Sequence, residues 1–308
     1  MRAARVTGAG LTLCDLAEPE GDFPVYDVVA ASICGTDFEL VARGMEGFTL
    51  GHEMSVTADG AVYAVEPTVR CGECEQCKAG FTQRCTGEHG NLGIFSDGGL
   101  AERVAVPSYA LVPLPAGLDP LDACLVEPAA VAWHGVRRAD VGSSERVAVV
   151  GGGSIGLLVA AWLRSLGHSV DLEARHPHQG AIARDLGAGS TEDLYDVVID
   201  AAGGTSSLGR CAELAVPGGR IIVLGVYFDS LPVPGAVMLT KELTCVAAMA
   251  YGAHAGVREF EEAAKLLADH PEVPRSLVTH RFPLSEVAEA FRVADDRASG
   301  AVKVVITP

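Results

Sequence analysis

The chain has 308 residues, enough for about two domains that each bury a core, and 49% hydrophobic with 20% charged residues is an ordinary globular composition. A formal charge of -17, with Lys and Arg scattered, repels phosphate backbones and anionic lipid headgroups, which sets nucleic acid and membrane surfaces aside as partners. The longest uncharged run, Val147 to Leu163, is glycine-interrupted and short for a membrane span, and no charged start leads into an apolar run, so the expectation is a soluble, cytoplasmic protein.

The first third carries short strand-like runs, "YDVVAAS", "GAVYAVEP" and "AERVAVPS", separated by turn residues, and predicts a small β-rich unit. From about Glu145 the pattern changes: "RVAVVG", "SVDLEA", "YDVVIDAAG" and "RIIVLGV" read as strands, with helical stretches between them. Such alternation predicts βαβ units and a parallel sheet, hence an α/β class. The tail "FPLSEVAEAFRVADDRASGAVKVVITP" predicts one amphipathic helix and a last strand.

Nine cysteines in a long chain without a secretory signal point to metal rather than disulfides. Cys71, Cys74, Cys77 and Cys85 stand at C-x2-C-x2-C-x7-C, a spacing that lets four thiolates close a tetrahedron around a structural zinc. An iron-sulfur cluster competes, but the C-x3-C-P continuation is absent. Three other residues, Cys34 in "ICGTDFEL", His52 in "LGHEM" and Glu127 in "CLVEPAAVAWHGV", offer a thiolate, an imidazole and a carboxylate. Around zinc they would leave one position open, as catalytic sites do, although singly a Cys is a small buried hydrophobe and a Glu before Pro a helix cap.

"VVGGGSIG" places Gly151, Gly153 and Gly156 directly after one predicted strand and at the start of a predicted helix. The first glycine permits the tight turn, the second lets a pyrophosphate approach, and the third lets helix and strand pack. The pyrophosphate would rest on the helix N-terminus at Ser154 and Ile155.

"CGTD", "GHE", the four-cysteine segment, "DGGLAER", "EPAAVAWHGV", "VAVVGGGSIG", "GGRIIVLG", "KELT" and "GAVKVVI" occur in this order along nearly the whole chain. In this the sequence resembles the zinc-dependent medium-chain dehydrogenase/reductase (alcohol dehydrogenase) family, most like its sorbitol, threonine and glucose dehydrogenase branch. The resemblance implies a GroES-like β-rich catalytic domain, residues 1–130 and 275–308 with a structural zinc lobe at 71–85, and a doubly wound Rossmann domain at 131–274. It implies two zinc ions per chain. Cys34, His52 and Glu127 become ligands of the catalytic ion, and Glu53 either an exchangeable fourth ligand or a residue behind the ligands. Thr36 matches the hydroxyl that relays the substrate proton, and Asp37 the carboxylate that orients the imidazole. Cys124 is a rival ligand better read as helix packing, His134 packs at the domain junction, and His89 is a loop residue.

The family's acidic residue, which bonds the ribose 2'-hydroxyl of NAD, falls at Ala174 in "SVDLEARHPHQ", with Arg175 next. A missing carboxylate and an adjacent guanidinium favour NADP, and His176 and His178 stand by to assist. The counter-reading gives Glu173 the acidic role and NAD as cofactor. The chain is shorter than the family pattern: the "VGDRV" turn is absent, and "LGAGSTEDLYDVVIDAAG" passes almost directly from a helix to the next strand. The Rossmann unit is therefore trimmed, its third strand vestigial, and the second strand stands at or near an edge where polar Asp171 and Glu173 are tolerated.

The expected activity is hydride transfer between a nicotinamide cofactor and a secondary hydroxyl or ketone of a polyol, sugar or cyclitol, in a homodimer or homotetramer. A dehydrogenase of simple secondary alcohols using NAD, or a nucleotide-binding sensor without turnover, are the competing readings. Intact Cys34, Thr36, His52 and Glu127 argue against the sensor.

Overall fold

The computed structural model describes residues 1–308, which divide into two compact units, Met1–Glu127 with Gly252–Pro308, and Pro128–Tyr251. The second crossing falls before Gly252 rather than at 274. The helix Glu259–Asp269 packs on the strand Leu111–Pro113, and Glu272–Leu277 packs on Val278–Pro283, both in the first unit. The Ala253 amide also donates to the Gly80 carbonyl in the cysteine lobe, 2.8 Å away.

In the first unit a seven-stranded sheet carries Val25–Ser32 at its centre, flanked by Lys303–Thr307 and Glu53–Ala58, with Ala61–Val65 and Leu111–Pro113 beyond. Val28, Ala31, Met54, Val56, Leu100, Val104 and Ile306 share one buried core, while Ala30 and Val305 pack with Cys124 in another, so the central strands are buried on both faces. The last strand inserts Lys303 among apolar neighbours, and this charge is buried.

The second unit is a five-stranded, wholly parallel sheet: β1 (Val147–Val150), β2 (Val170–Glu173), β3 (Tyr195–Asp200), β4 (Ala215–Val223) and β5 (Thr244–Ala247), in the spatial order β2-β1-β3-β4-β5. Helices α1 (Ser154–Ser165), α2 (Pro177–Asp185) and α3 (Ser207–Leu214) follow the first three strands. In a six-stranded dinucleotide-binding sheet another strand lies outside β2. Here that place holds a single parallel bridge, Asp171 to Gly189. The sheet is thus trimmed to an edge at β2, where Asp171 accepts the Tyr195 hydroxyl at 2.9 Å.

Candidate active site

The register of two strands brings the first metal-ligand set together. Val25–Ser32 and Glu53–Ala58 run antiparallel with Ser32 opposite Glu53, so Cys34, just past one strand, and His52, just before the other, emerge at the same end. Gly51, at φ +97°, lets the backbone pass Leu100, whose amide nitrogen would lie 2.7 Å from any Cβ there. Ligand atoms of Cys34, His52 and Glu53 fall within 4.8 Å of one another. Glu127, buried in the first turn of Val126–Ala139, stands outside that group, yet its charge is felt at both His52 and Lys303.

Cys34 caps the helix Gly35–Ala42, and its amide donates to Asp37 Oδ2 at 2.8 Å. The other carboxylate oxygen faces His52 Nδ1 at 3.7 Å, and neither atom has another hydrogen-bond partner. The Asp37 charge thus lies on the Nδ1 side of the His52 ring and favours a proton on the imidazole. Burial works against charging His52, but the Cys34 sulfur, Asp37 and Glu127 outweigh it and hold its pKa well above the ordinary range. Such surplus negative charge around an imidazole suits a divalent cation. Thr36 Oγ1 lies 3.8 Å from Cys34 Sγ.

Lys303 is the residue that sequence reasoning passed over, although its charge inside "VKVVI" was a visible signal. Its ammonium donates to both Glu53 oxygens at 2.7 Å and to the Ile33 carbonyl at 3.1 Å. Ser32 also donates to Glu53. Burial of the ammonium is offset by Glu53, Cys34 and Glu127, and its pKa stays above the ordinary value. Cys124 is not in the metal group: it packs with Ala30 and Val305, and burial pushes its thiol up to about 12. His134 is buried and His89 exposed, its Nδ1 2.7 Å from the Gly87 carbonyl.

The second set is local. Sulfur atoms of Cys71 and Cys77, and of Cys74 and Cys85, are 4.0 Å apart, and Cys85 and Cys71 3.4 Å. Four thiolates at ordinary zinc–sulfur distances stand about 3.8 Å apart, so this cage fits the ion. Main-chain amides of Cys71, Cys74 and Cys77 point at neighbouring sulfurs. Backbone hydrogen bonds from Thr86 and Cys77 bring Cys74 down to about 5.

In the nucleotide unit Gly151 has φ +119°, and a Cβ on Gly156 would lie 1.8 Å from the Gly151 carbonyl oxygen, so turn and helix touch. A Cβ on Gly153 would meet nothing within 4 Å, leaving room where a pyrophosphate would approach the uncapped start of α1, at Ser154 and Ile155. Gly152 faces Ala174, whose Cβ would be 2.6 Å from a Cβ at 152, and Gln179, at 2.9 Å. Ala174 thus occupies the side of β2 that turns toward the glycine-rich loop. Arg175 is exposed, and His176 caps α2 and stacks on His178 with centroids 5.7 Å apart. Glu173 turns instead to Arg210 of α3, whose Nη2 donates at 2.8 Å. Gln179 and buried Asp200, which accepts from the Ala202 amide and Ser207 at the end of β3, escaped sequence reasoning because neither belongs to a spaced motif.

With this geometry in place the comparisons decide the family. The model for the glucose dehydrogenase C-terminus matches residues 122–307, and that for the alcohol dehydrogenase GroES-like domain matches 25–116. The chain belongs to the zinc-dependent medium-chain dehydrogenase/reductase family. As a member it is a GroES-like plus Rossmann oxidoreductase that works with zinc and a nicotinamide nucleotide. L-galactonate-5-dehydrogenase of Escherichia coli (strain K12) is 29% identical over 305 residues, 89% of this chain and 88% of the relative. A structure from Sinorhizobium meliloti 1021 bound to NADP is 28% identical with a TM-score of 0.86, covering 100% of this chain and 99% of that one. Galactitol-1-phosphate dehydrogenase from Escherichia coli shares the fold, with a TM-score of 0.88 at 24% identity and full coverage of both chains. No helix in this medium-chain dehydrogenase is long and apolar enough to cross a membrane.

Proposed function

We propose that this dehydrogenase oxidises a secondary hydroxyl of a polyol or sugar acid, or reduces the matching ketone, with NADP. Relatives named for L-galactonate and L-idonate support the substrate class. The single observation that carries the cofactor is Ala174 against Gly152, with no carboxylate on that side of β2. An apolar methyl leaves space for a 2'-phosphate, and Arg175 and His176 offer donors beside it.

Cys34, His52 and Glu127 would hold the catalytic zinc, and Cys71, Cys74, Cys77 and Cys85 a structural one. Zinc in the first set supplies Lewis acidity toward the substrate oxygen. Glu53, already engaged by Lys303 and Ser32, acts from behind the ligands and neutralises the buried ammonium. Asp37 holds the His52 ring, and the Thr36 hydroxyl takes the substrate proton during oxidation and returns it during reduction. Gly151, Gly153, Gly156, Ser154 and Ile155 seat the pyrophosphate, which orients the nicotinamide for hydride transfer.

In solution the chain forms a homo-oligomer. β5 is a sheet edge with Thr244, Cys245 and Ala247 exposed, beside exposed Leu239 and Met249, an apolar edge that a second copy would cover. Light scattering checks it, and a monomeric mass refutes it. The functional test is a paired screen of NAD and NADP over polyols, sugar acids and simple secondary alcohols, with metal analysis. Turnover on sugar acids or polyols with NADP and two zinc ions per chain is expected. Turnover confined to simple alcohols with NAD, or one zinc and no turnover, overturns it.

A further inference from the structure

Glu173 presents a puzzle, because it is an acid at the end of the second strand of a nucleotide-binding sheet, the type and place that usually read a ribose. Its carbonyl accepts the Gly151 amide at 2.9 Å, so its Cα stands at the lip of the glycine-rich turn. Strand alternation sends its side chain to the face opposite Ala174, but β2 ends at this residue, so the carboxylate could reach that lip only round the strand end. With the neighbouring strand reduced to one bridge, its flank is also open, and the side chain is 32% exposed.

The position of the carboxylate is decided from α3. Arg210 Nε donates to both Glu173 oxygens at 3.0 Å and Nη2 to one of them at 2.8 Å, a planar fork on a planar acceptor. Thr191, in the short link that replaces the missing unit, donates at 3.2 Å. Arg210 is itself anchored, since Leu208, Cys211 and Ala212 of the same helix are wholly buried, and Glu213 accepts from its Nη1 at 3.1 Å.

We propose that Arg210 is a specificity-determining residue: by clamping Glu173 against α3 it keeps that carboxylate out of the adenosine ribose site and so permits a 2'-phosphate there. This rests on the NADP assignment above. A carboxylate freed at the lip would accept the ribose hydroxyl of NAD and repel the doubly charged phosphate of NADP. The trimmed sheet and the clamp belong together, because Thr191 reaches Glu173 from the shortened connection.

The test is titration of the full-length protein with NAD and with NADP separately, by calorimetry, for the wild type, Arg210→Met, Glu173→Gln and the double variant. Arg210→Met is expected to move the ratio of the two dissociation constants toward NAD by about tenfold or more, equivalent to about 1.4 kcal/mol. Glu173→Gln should leave the ratio within about twofold, and the double variant should return to it, since no carboxylate remains to release. A purely structural Arg210 would weaken both cofactors alike, and Glu173→Gln would not rescue it; that result overturns the proposal. An unchanged ratio in Arg210→Met, with a wild type that prefers NADP, overturns the clamp alone. A wild type that prefers NAD and loses it in Glu173→Gln overturns both the clamp and the NADP assignment.

Discussion

Cys71, Cys74, Cys77 and Cys85 reach one another within a single loop, with three of their own amides already aimed at sulfur. Cys34, His52 and Glu53 meet only because two antiparallel strands are paired with Ser32 opposite Glu53, and because Lys303, at the far end of the chain, supports the carboxylate. The loop cage is half-exposed and the strand-end site nearly closed, with His52, Glu53 and Asp37 buried. The contrast teaches that a structural cage can be local and tolerant, whereas a site with an open position depends on the register of the whole sheet.

Breaking one member of each set separates the two roles. Cys34→Ser should lower kcat/KM on the order of 10³-fold, the several kcal/mol expected of a lost Lewis acid, with little change in the melting midpoint and one zinc fewer by metal analysis. Lys303→Met leaves a buried carboxylate uncompensated and should cost about 3 kcal/mol or more in urea unfolding. Adding Glu53→Gln should recover part of that loss. Cys74→Ser should instead destabilise by about 2 kcal/mol through loss of the lobe's ion. Surviving molecules should turn over normally, and a chelator should reproduce the melting shift in the wild type but not in the variant.

The smallest effect sharpens the contrast in the nucleotide unit, at the half-buried pair of Glu173 and Arg210. The Arg210 guanidinium holds the Glu173 carboxyl below its ordinary 4.5. A depressed folded pKa means the pair's contribution is complete above the unfolded value and fades only as pH falls through the lower folded one. The difference in melting midpoint between wild type and Arg210→Met should therefore be constant above about pH 5.5 and shrink below about pH 4. A difference that grew on acidification would contradict the clamp.

Much was legible in the primary structure where chemistry is local. The two-residue cysteine gaps, the glycine turn before a helix, the trimmed passage after "LGAGS" and the alternation of strands and helices all act over a few residues, and the chain folds as they imply. The edge position of β2 followed from the missing segment alone. Less legible was the boundary at Gly252, because docking of Glu259–Asp269 onto Leu111–Pro113 is a packing choice that its amphipathic pattern shares with any surface helix. Asp200 and Gln179 were invisible for the same reason: each acts through a neighbour brought near by the fold.

By itself the sequence determined the donor types, the local spacing of the four-cysteine cage, the phosphate turn and the absence of an acid at Ala174. Tertiary structure alone decided that Lys303 reaches Glu53 and that Glu173 turns toward Arg210 and not toward the loop. The physical reason is range. Caps, turns and short cysteine spacings are settled by sterics and hydrogen bonds within a few residues, whereas the direction of a flexible carboxylate depends on whichever cation the packed sheet and helices bring beside it.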